Sequence, residues 1–170
     1  CAQSGCEIGL FLDNGKDGRY NGKGINGKIY QGDLVPEDLT RILPDLRYDE
    51  TGTLWKITMS GADLEKTLEY SIPIDNNKEG WFYYFSGLKM DYAPAAVPGT
   101  RIHKITDDAG HSLDPKRLYS IAVMDNTVPP EYIVTCEKTD LPIRTIFENA
   151  LKASPTVSPA KDHRFTLCQP

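Results

Sequence analysis

The sequence predicts an α+β fold with a mixed β-sheet and flanking helices, and three observations support this prediction. Several segments alternate apolar and polar residues with the period of a strand, and others repeat apolar residues at helical spacing. Strands and helices are interleaved with long, hairpin-like β segments, which is typical of α+β domains. With 170 residues, of which 39% are hydrophobic and 25% charged, the chain fits one globular domain over residues 1–170.

Strands are predicted wherever β-prone residues alternate. The segments are residues 8–12, 54–59, 80–92, 101–106 and 118–124. The aromatic run Trp81–Phe85 resembles a platform for stacking bases, but a strand buried on both faces is the favoured interpretation. A turn at residues 107–110 predicts that the strand over 101–106 pairs with the strand over 118–124. The apolar composition of residues 118–124 predicts a central strand of the sheet.

Three helices are predicted from their start and stop signals. The first is capped by Asp33 and ends at Pro44. The second opens at a capping box that begins with Ser60 and continues until Pro73. The last is opened by Asp140 and Pro142, and its apolar residues from Ile143 to Leu151 lie at helical spacing.

Charge and hydropathy exclude two classes of partner. The formal net charge is −5, and the longest basic grouping is Lys116-Arg117, so the chain has no basic patch for a nucleic acid polymer. No apolar run approaches the roughly 20 residues that a membrane-spanning helix needs.

A self-sufficient catalytic site is not evident in the sequence. The three histidines lack partners at metal-ligand spacing, and Ser60 is better explained as a helix cap than as a nucleophile. Asp107-Asp108 is typical of a solvated turn. The sequence therefore predicts no catalytic residue, no metal ligand and no cofactor for this chain. This prediction favours a binding or specificity role.

Four cysteines, at positions 1, 6, 136 and 168, leave two interpretations open. They are either free thiols or two disulfides that hold both termini to the fold in an oxidising compartment. Three pairings are possible, and the spacing does not choose among them.

Several segments in a fixed order resemble the C-terminal domain of the 5′-nucleotidase and UDP-sugar hydrolase (apyrase) family. In chain order, the matching segments are Glu7-Ile8-Gly9-Leu10, Asn14 with Arg19, Gly27 to Leu34, Ile42-Leu43-Pro44, Trp55 to Leu64, Leu68-Glu69, Phe85 to Met90, Gly99-Thr100-Arg101-Ile102, Leu118 to Asp125, and His163-Arg164. The resemblance covers nearly the whole chain.

The resemblance implies a division of labour between two domains. Members are typically exported, and an N-terminal metallophosphoesterase domain holds two divalent metals, whereas the C-terminal domain binds the base and ribose of a nucleotide. This chain is then a nucleotide-, nucleoside- or sugar-binding domain that works outside the cytoplasm beside a catalytic domain. An extracytoplasmic family also favours disulfides, with Cys6–Cys168 or Cys6–Cys136 preferred.

The chain departs from the family pattern where the family clamps the base between two aromatic rings. Asp45 stands at the position of the first ring, and the loop from Asp125 to Tyr132 lacks the glycines that carry the second. The candidate substrate-binding residues implied by the resemblance are Asn14, Arg19, Asp45, Arg47, Tyr48, Asp125 and Tyr132. Because Asp45 is an acceptor-only carboxylate, a donor-rich ligand such as a sugar is expected to bind better than a stacked purine. The alternative is a structural or partner-binding module that has lost its ligand.

Overall fold

Runs of strands with few helices between them confirm the predicted α+β class. A computed structural model describes residues 3–13, 32–35, 37–39, 52–72, 82–124, 128–153, 156, 158 and 163–168. The elements are β1 (Ile8–Asp13), β2 (Thr53–Ser60), α1 (Gly61–Ser71), β3 (Phe82–Ser86), β4 (Leu88–Tyr92), β5 (Ile102–Asp107), β6 (Leu118–Met124), a 3₁₀ turn (Pro130–Tyr132), β7 (Thr135–Pro142), α2 (Ile143–Lys152) and β8 (Phe165–Leu167). None of the helices in these ranges has the length and apolar character needed to cross a membrane.

The larger sheet has five strands in the order β3-β1-β6-β2-β7. Strand β1 runs parallel to β6, whereas the other neighbours are antiparallel, so the sheet is mixed as predicted. Strand β6 lies at its centre, and residues 121–124 are all buried, which confirms the expected central strand. A second sheet has the order β5-β4-β8.

The two faces of the larger sheet carry separate apolar clusters. On the α1 face, Leu64 and Leu68 pack with Ile57 and Ile121, all of them at most 1% exposed. On the α2 face, a smaller cluster includes Ile143. Because side chains alternate between faces along a strand, the central strands supply both clusters and sit between the two helices.

The start of α1 confirms Ser60 as the predicted helix cap. The Ser60 hydroxyl oxygen accepts a hydrogen bond from the backbone N–H of Asp63 at 3.1 Å and donates one to its carboxylate at 2.7 Å. This satisfies one of the helix's unpaired amide groups and fixes the point at which β2 turns into α1. Residues 37–39 are helical, but the remainder of the helix predicted between Asp33 and Pro44 lies largely outside the described residues.

The β-prone stretch over 80–92 is two strands in different sheets, not one. Gly87 separates β3 from β4 with φ +83°, and a Cβ added to it would lie 2.3 Å from the carbonyl oxygen of Glu7. Only glycine combines that backbone conformation with so close an approach. The expected burial on both faces was wrong for β3, because Tyr83 and Phe85 face the core while Tyr84 alternates to the other side and is 45% exposed.

The predicted pairing of residues 101–106 with 118–124 was also wrong. Strand β5 pairs antiparallel with β4, and β6 pairs with β1 and β2. The connection between β5 and β6 crosses to the larger sheet, where carbonyl oxygens of Pro115 and Arg117 accept hydrogen bonds from the first two residues of α1. Sequence neighbours with a turn signal between them are separated here because each strand finds its partner in a different sheet.

The last helix begins later than predicted. Asp140 and Pro142 belong to β7, and α2 starts at Ile143 with Pro142 as its N-cap. The backbone N–H of Ile143 donates to the carbonyl oxygen of Gly52, so the edge of the sheet extends to the residue before the helix.

The two preferred disulfides are absent, since Cys6, Cys136 and Cys168 are free thiols. Cys6 is buried in the cluster on the α2 face. Cys136 is exposed on the edge strand β7, opposite Ile57, whose side chain points to the α1 face. Cys168 follows β8 in the second sheet. The fold thus places the three thiols on separate surfaces.

Candidate functional site

Four strand ends meet at one edge of the larger sheet. Strands β1 and β6 are parallel, so Asp13 and Met124 end at the same edge. Strands β2 and β3 are antiparallel to them and begin there, with Leu54 opposite Met124 and Phe82 opposite Asp13. We call this side of the sheet the strand-end edge.

The candidate site residues follow or precede these strand ends in sequence. Asn14 comes directly after Asp13, and Asp125 directly after Met124. Both lie outside the described residues, as do Arg19, Asp45, Arg47 and Tyr48. Tyr132 is described, in the 3₁₀ turn, where it is half-buried and packs against the apolar cluster of the α1 face.

A cavity of about 680 Å³ opens beside this edge, on the α1 side of the sheet. We call it the α1-face cavity, and its described lining comes from the C-terminal half of α1, from β3, from the loop before β5 and from the segment after β6. The lining residues are Lys66, Thr67, Glu69, Tyr70, Ser71, Tyr83, Pro98, Gly99, Arg101, Val128, Pro129, Pro130, Glu131 and Tyr132. Its volume lies in the range of small-molecule sites, roughly 300–1,000 Å³.

Three tyrosines from three elements line this cavity. Tyr83 is 5% exposed, and desolvation by burial raises the pKa of its hydroxyl to about 12. Tyr70 is 82% exposed at the rim. The Nζ of Lys66 lies 5.6 Å from the centroid of the Tyr132 ring, a cation–π distance. The cavity therefore has aromatic surface at its base and at its rim.

One wall of the cavity is held by an ion pair between α1 and the loop before β5. The Glu69 carboxylate accepts hydrogen bonds from the Arg101 guanidinium at 2.7 Å and from the backbone N–H groups of Gly99 at 2.8 Å and Ile102 at 2.9 Å. Arg101 is 4% exposed and also donates to the carbonyl oxygens of Glu69 and Ile72 at the end of α1. This pair fixes the helix end against the loop.

The charge state of Glu69 follows from these contacts. Burial is the largest influence and raises the pKa of its carboxyl, but the hydrogen bonds from Arg101 and three backbone N–H groups together lower the pKa below its ordinary value. Glu69 is therefore ionised at neutral pH and matches the charge of the buried guanidinium.

Sequence reasoning missed the residues that shape this wall and the base of the cavity. Leu68-Glu69 and Gly99 to Ile102 were noted only as matching segments, and the polar residues around Glu69 and Arg101 gave no signal for a buried pair. Tyr70 and Tyr83 were assigned to a helix and an aromatic strand. Their convergence depends on packing between elements, which period and spacing do not report.

Acidic and histidine side chains form no candidate metal centre within the described ranges, where groups of three or more potential ligands are absent. Asp107 and His111 do approach, with 3.0 Å between Oδ2 and Nδ1. They lie on the turn after β5, as predicted for Asp107-Asp108, and Asp107 also accepts from the His111 backbone N–H. This contact closes a turn.

The fold recurs as one part of larger nucleotide hydrolases in solved structures. It matches a 5′-nucleotidase precursor from Thermus thermophilus with a TM-score of 0.78 and 20% identity, over 99% of this chain and 33% of that one. It also matches the NAD nucleotidase NadN of Haemophilus influenzae, with a TM-score of 0.71 and 15% identity, over 96% of this chain and 30% of that one.

Membership in a family follows from the sequence. The family profile "5′-nucleotidase, C-terminal domain" matches residues 16–128, so the chain belongs to this family, as the resemblance had indicated. A third similar structure is the sulfate thiohydrolase SoxB of Thermus thermophilus, with a TM-score of 0.65 and 18% identity, over 98% of this chain and 29% of that one. The chain spans about a third of the length of these proteins. Among curated proteins, none matches its sequence.

Proposed function

We propose that this chain is the substrate-binding domain of a divergent 5′-nucleotidase-type phosphohydrolase that works outside the cytoplasm. Membership in the 5′-nucleotidase C-terminal domain family carries the proposal. In it, a metallophosphoesterase domain outside this chain supplies divalent metals and catalysis, and this domain supplies contacts to a nucleotide, nucleoside or sugar. An extracytoplasmic location is in keeping with the similarity to a 5′-nucleotidase precursor.

The convergence of strand ends supports a ligand site at the strand-end edge. Residues 14 and 125 continue directly from neighbouring parallel strands, and residues 45–48 precede β2, which begins at the same edge. Arg19 and Arg47 are the proposed contacts for phosphate or hydroxyl oxygens, because a guanidinium forms bidentate, charge-assisted hydrogen bonds. Asp45 is proposed to accept hydrogen bonds from ligand hydroxyls.

Calorimetric titration of the chain with UDP-glucose tests this proposal. Arg19→Ala removes a proposed charge-assisted contact and is expected to weaken binding about tenfold or more. Arg144→Ala is the matched control, since Arg144 lies on α2 and pairs with Glu148 at 2.7 Å, on the opposite face from the cavity. The chain alone is expected to hydrolyse no 5′-nucleotide when divalent metals are added.

Two results would contradict the proposal. Equal affinity of the wild type and Arg19→Ala for UDP-glucose would remove Arg19 from the site. Robust hydrolysis of 5′-nucleotides by the purified chain would show that it carries catalytic ligands of its own.

A further inference from the structure

We propose that a belt of partly exposed aromatic side chains is the surface on which the metallophosphoesterase domain docks. The belt begins on the α2 face of the larger sheet and continues around β3 to the second sheet. We call it the aromatic belt, and its members are Phe11, Phe82, Tyr84, Tyr92, Phe147 and Phe165. Its assigned role rests on the proposed function and adds the place where the two domains meet.

The belt is continuous from α2 to β8. The rings of Phe147 and Phe11 meet edge to face, with 5.7 Å between their centroids. Phe11 lies opposite Tyr84 in the pairing of β1 with β3, which places the two side chains next to each other on one face. From the Tyr84 ring, the centroids of Phe82 and Phe165 lie 5.8 Å and 6.5 Å away. The six rings therefore form one surface.

The fold does not enclose this surface. Tyr84 is 45% exposed, and the other five rings are half-buried. Leu167 lies opposite Tyr92 in the pairing of β8 with β4, where it extends the belt and is 69% exposed. Single exposed apolar side chains are ordinary, but a contiguous apolar surface is typical of a contact with another macromolecule.

The course of the chain favours a domain of the same protein as the occupant. The Gln3 side chain donates a hydrogen bond to the carbonyl oxygen of Ile146 at 3.0 Å, so the polypeptide that precedes Gln3 leaves the fold beside α2 and Phe147. The three similar solved structures are each about three times as long as this chain, so the fold has further polypeptide beside it in those proteins. A domain joined before Gln3 is therefore tethered next to one end of the belt.

The size of the belt also favours a tethered domain over a second copy of this chain. Aromatic side chains present roughly 150–250 Å² each, so six rings that are mostly half-buried leave on the order of 400 Å² for a partner. A stable complex of separate molecules buries about 800 Å² on each partner. A tether raises the effective concentration to the order of millimolar, and a smaller apolar surface is then sufficient for docking.

Hydroxyl-radical footprinting with mass spectrometry measures the exposure of individual side chains and tests the proposal. The chain alone is compared with the full-length polypeptide that its gene encodes. In the full-length polypeptide, oxidation of Tyr84 and Leu167 is expected to slow by about threefold or more, because the centre of an interface excludes water. Tyr70 is the matched control, since it is 82% exposed on α1, and its oxidation should stay unchanged.

Two variants test whether the belt itself holds the domain. Leu167→Asp places a charge in the belt, and in the full-length polypeptide it should return the oxidation rate of Tyr84 to that of the chain alone. Tyr70→Asp places the same charge on α1 and should leave Tyr84 protected. Because Leu167 and Tyr70 are both exposed, neither change disturbs the core, and circular dichroism checks that both variants are folded.

The outcomes separate this docking surface from the proposed function. If the full-length polypeptide has a metallophosphoesterase domain but Tyr84 and Leu167 stay as reactive as in the chain alone, the docking surface is wrong and the proposed function stands. Protection of Tyr70 in their place has the same meaning. If the gene encodes no such domain, both proposals fail. If the chain alone sediments as a dimer that protects Tyr84 and that Leu167→Asp dissociates, a second copy covers the belt and the proposal is overturned.

Discussion

Replacing Glu69 by alanine is expected to be among the most damaging changes on the surface of α1. The substitution removes the partner of a guanidinium that is 4% exposed and leaves the backbone N–H groups of Gly99 and Ile102 without their acceptor. Breaking a buried pair by removing one partner costs about 3–5 kcal/mol. Since the Glu69 side chain keeps 13% exposure and water can replace part of the contact, we expect about 3 kcal/mol, the lower end.

Thermal unfolding measures this loss. For a chain of this size, about 3 kcal/mol corresponds to a fall of about 6–12 °C in the unfolding midpoint. Glu148→Ala is the matched control, because Glu148 also pairs with an arginine at 2.7 Å, but in an i,i+4 pair on α2 whose side chains are 31% and 30% exposed. Its midpoint should stay close to that of the wild type, since exposed pairs contribute little. If the two variants lose equal stability, the argument that burial makes the Glu69 pair important is refuted.

The same pair predicts a pH dependence with a defined sign. The pKa of Glu69 is lower in the folded chain because of its hydrogen bonds, so the unfolded state binds the proton more readily. The contribution of Glu69 to the free energy of unfolding is complete above the ordinary carboxyl pKa. This contribution is lost as the pH falls through the lowered pKa of the folded chain. Urea unfolding midpoints between about pH 6 and pH 3, measured for wild type and Glu69→Gln, should converge toward acid. Parallel curves would contradict this sign.

Three further predictions concern the cap, a close approach and the thiols. Ser60→Ala removes the acceptor for the Asp63 amide and should cost about 1 kcal/mol in urea unfolding, whereas Ser60→Thr should retain most of it. Gly87→Ala should prevent stable folding or lower the unfolding midpoint more than any of the changes above. The reason is that φ of Gly87 is positive and the added Cβ would overlap a backbone carbonyl oxygen. An unchanged unfolding midpoint would contradict the close approach at Gly87 between β3 and β4. In the native chain, a thiol reagent should label Cys136 quickly and Cys6 only after unfolding. If mass spectrometry without reductant finds either cysteine in a disulfide, the assignment of free thiols is wrong.

Local patterns were sufficient for the α+β class, the larger part of most elements and the start of α1. Alternation in residues 54–59 and 118–124 reports burial on a pleated surface, which depends only on neighbouring positions. The Ser60 cap is likewise a contact between residues three positions apart. The order of matching segments was sufficient for the family, because it does not require knowledge of the packing.

Partner choice between distant segments depended on the tertiary structure. Turn residues stand on both sides of β5, at 94–99 and at 107–110, and they do not decide which neighbouring strand β5 pairs with. The strand over 118–124 was predicted with the correct ends, but its predicted pairing with residues 101–106 was wrong.

The site shows the same division between local and tertiary information. The sequence by itself was sufficient for the family, and it predicted the missing ring positions and the candidate residues near the ends of β1 and β6. Only the tertiary structure brought Tyr70, Tyr83 and Tyr132 around one cavity and joined Glu69 to Arg101 across 32 positions. The physical reason is that burial of a charge or a ring is decided by which surfaces meet when the sheets and α1 pack, and that choice involves the whole chain at once.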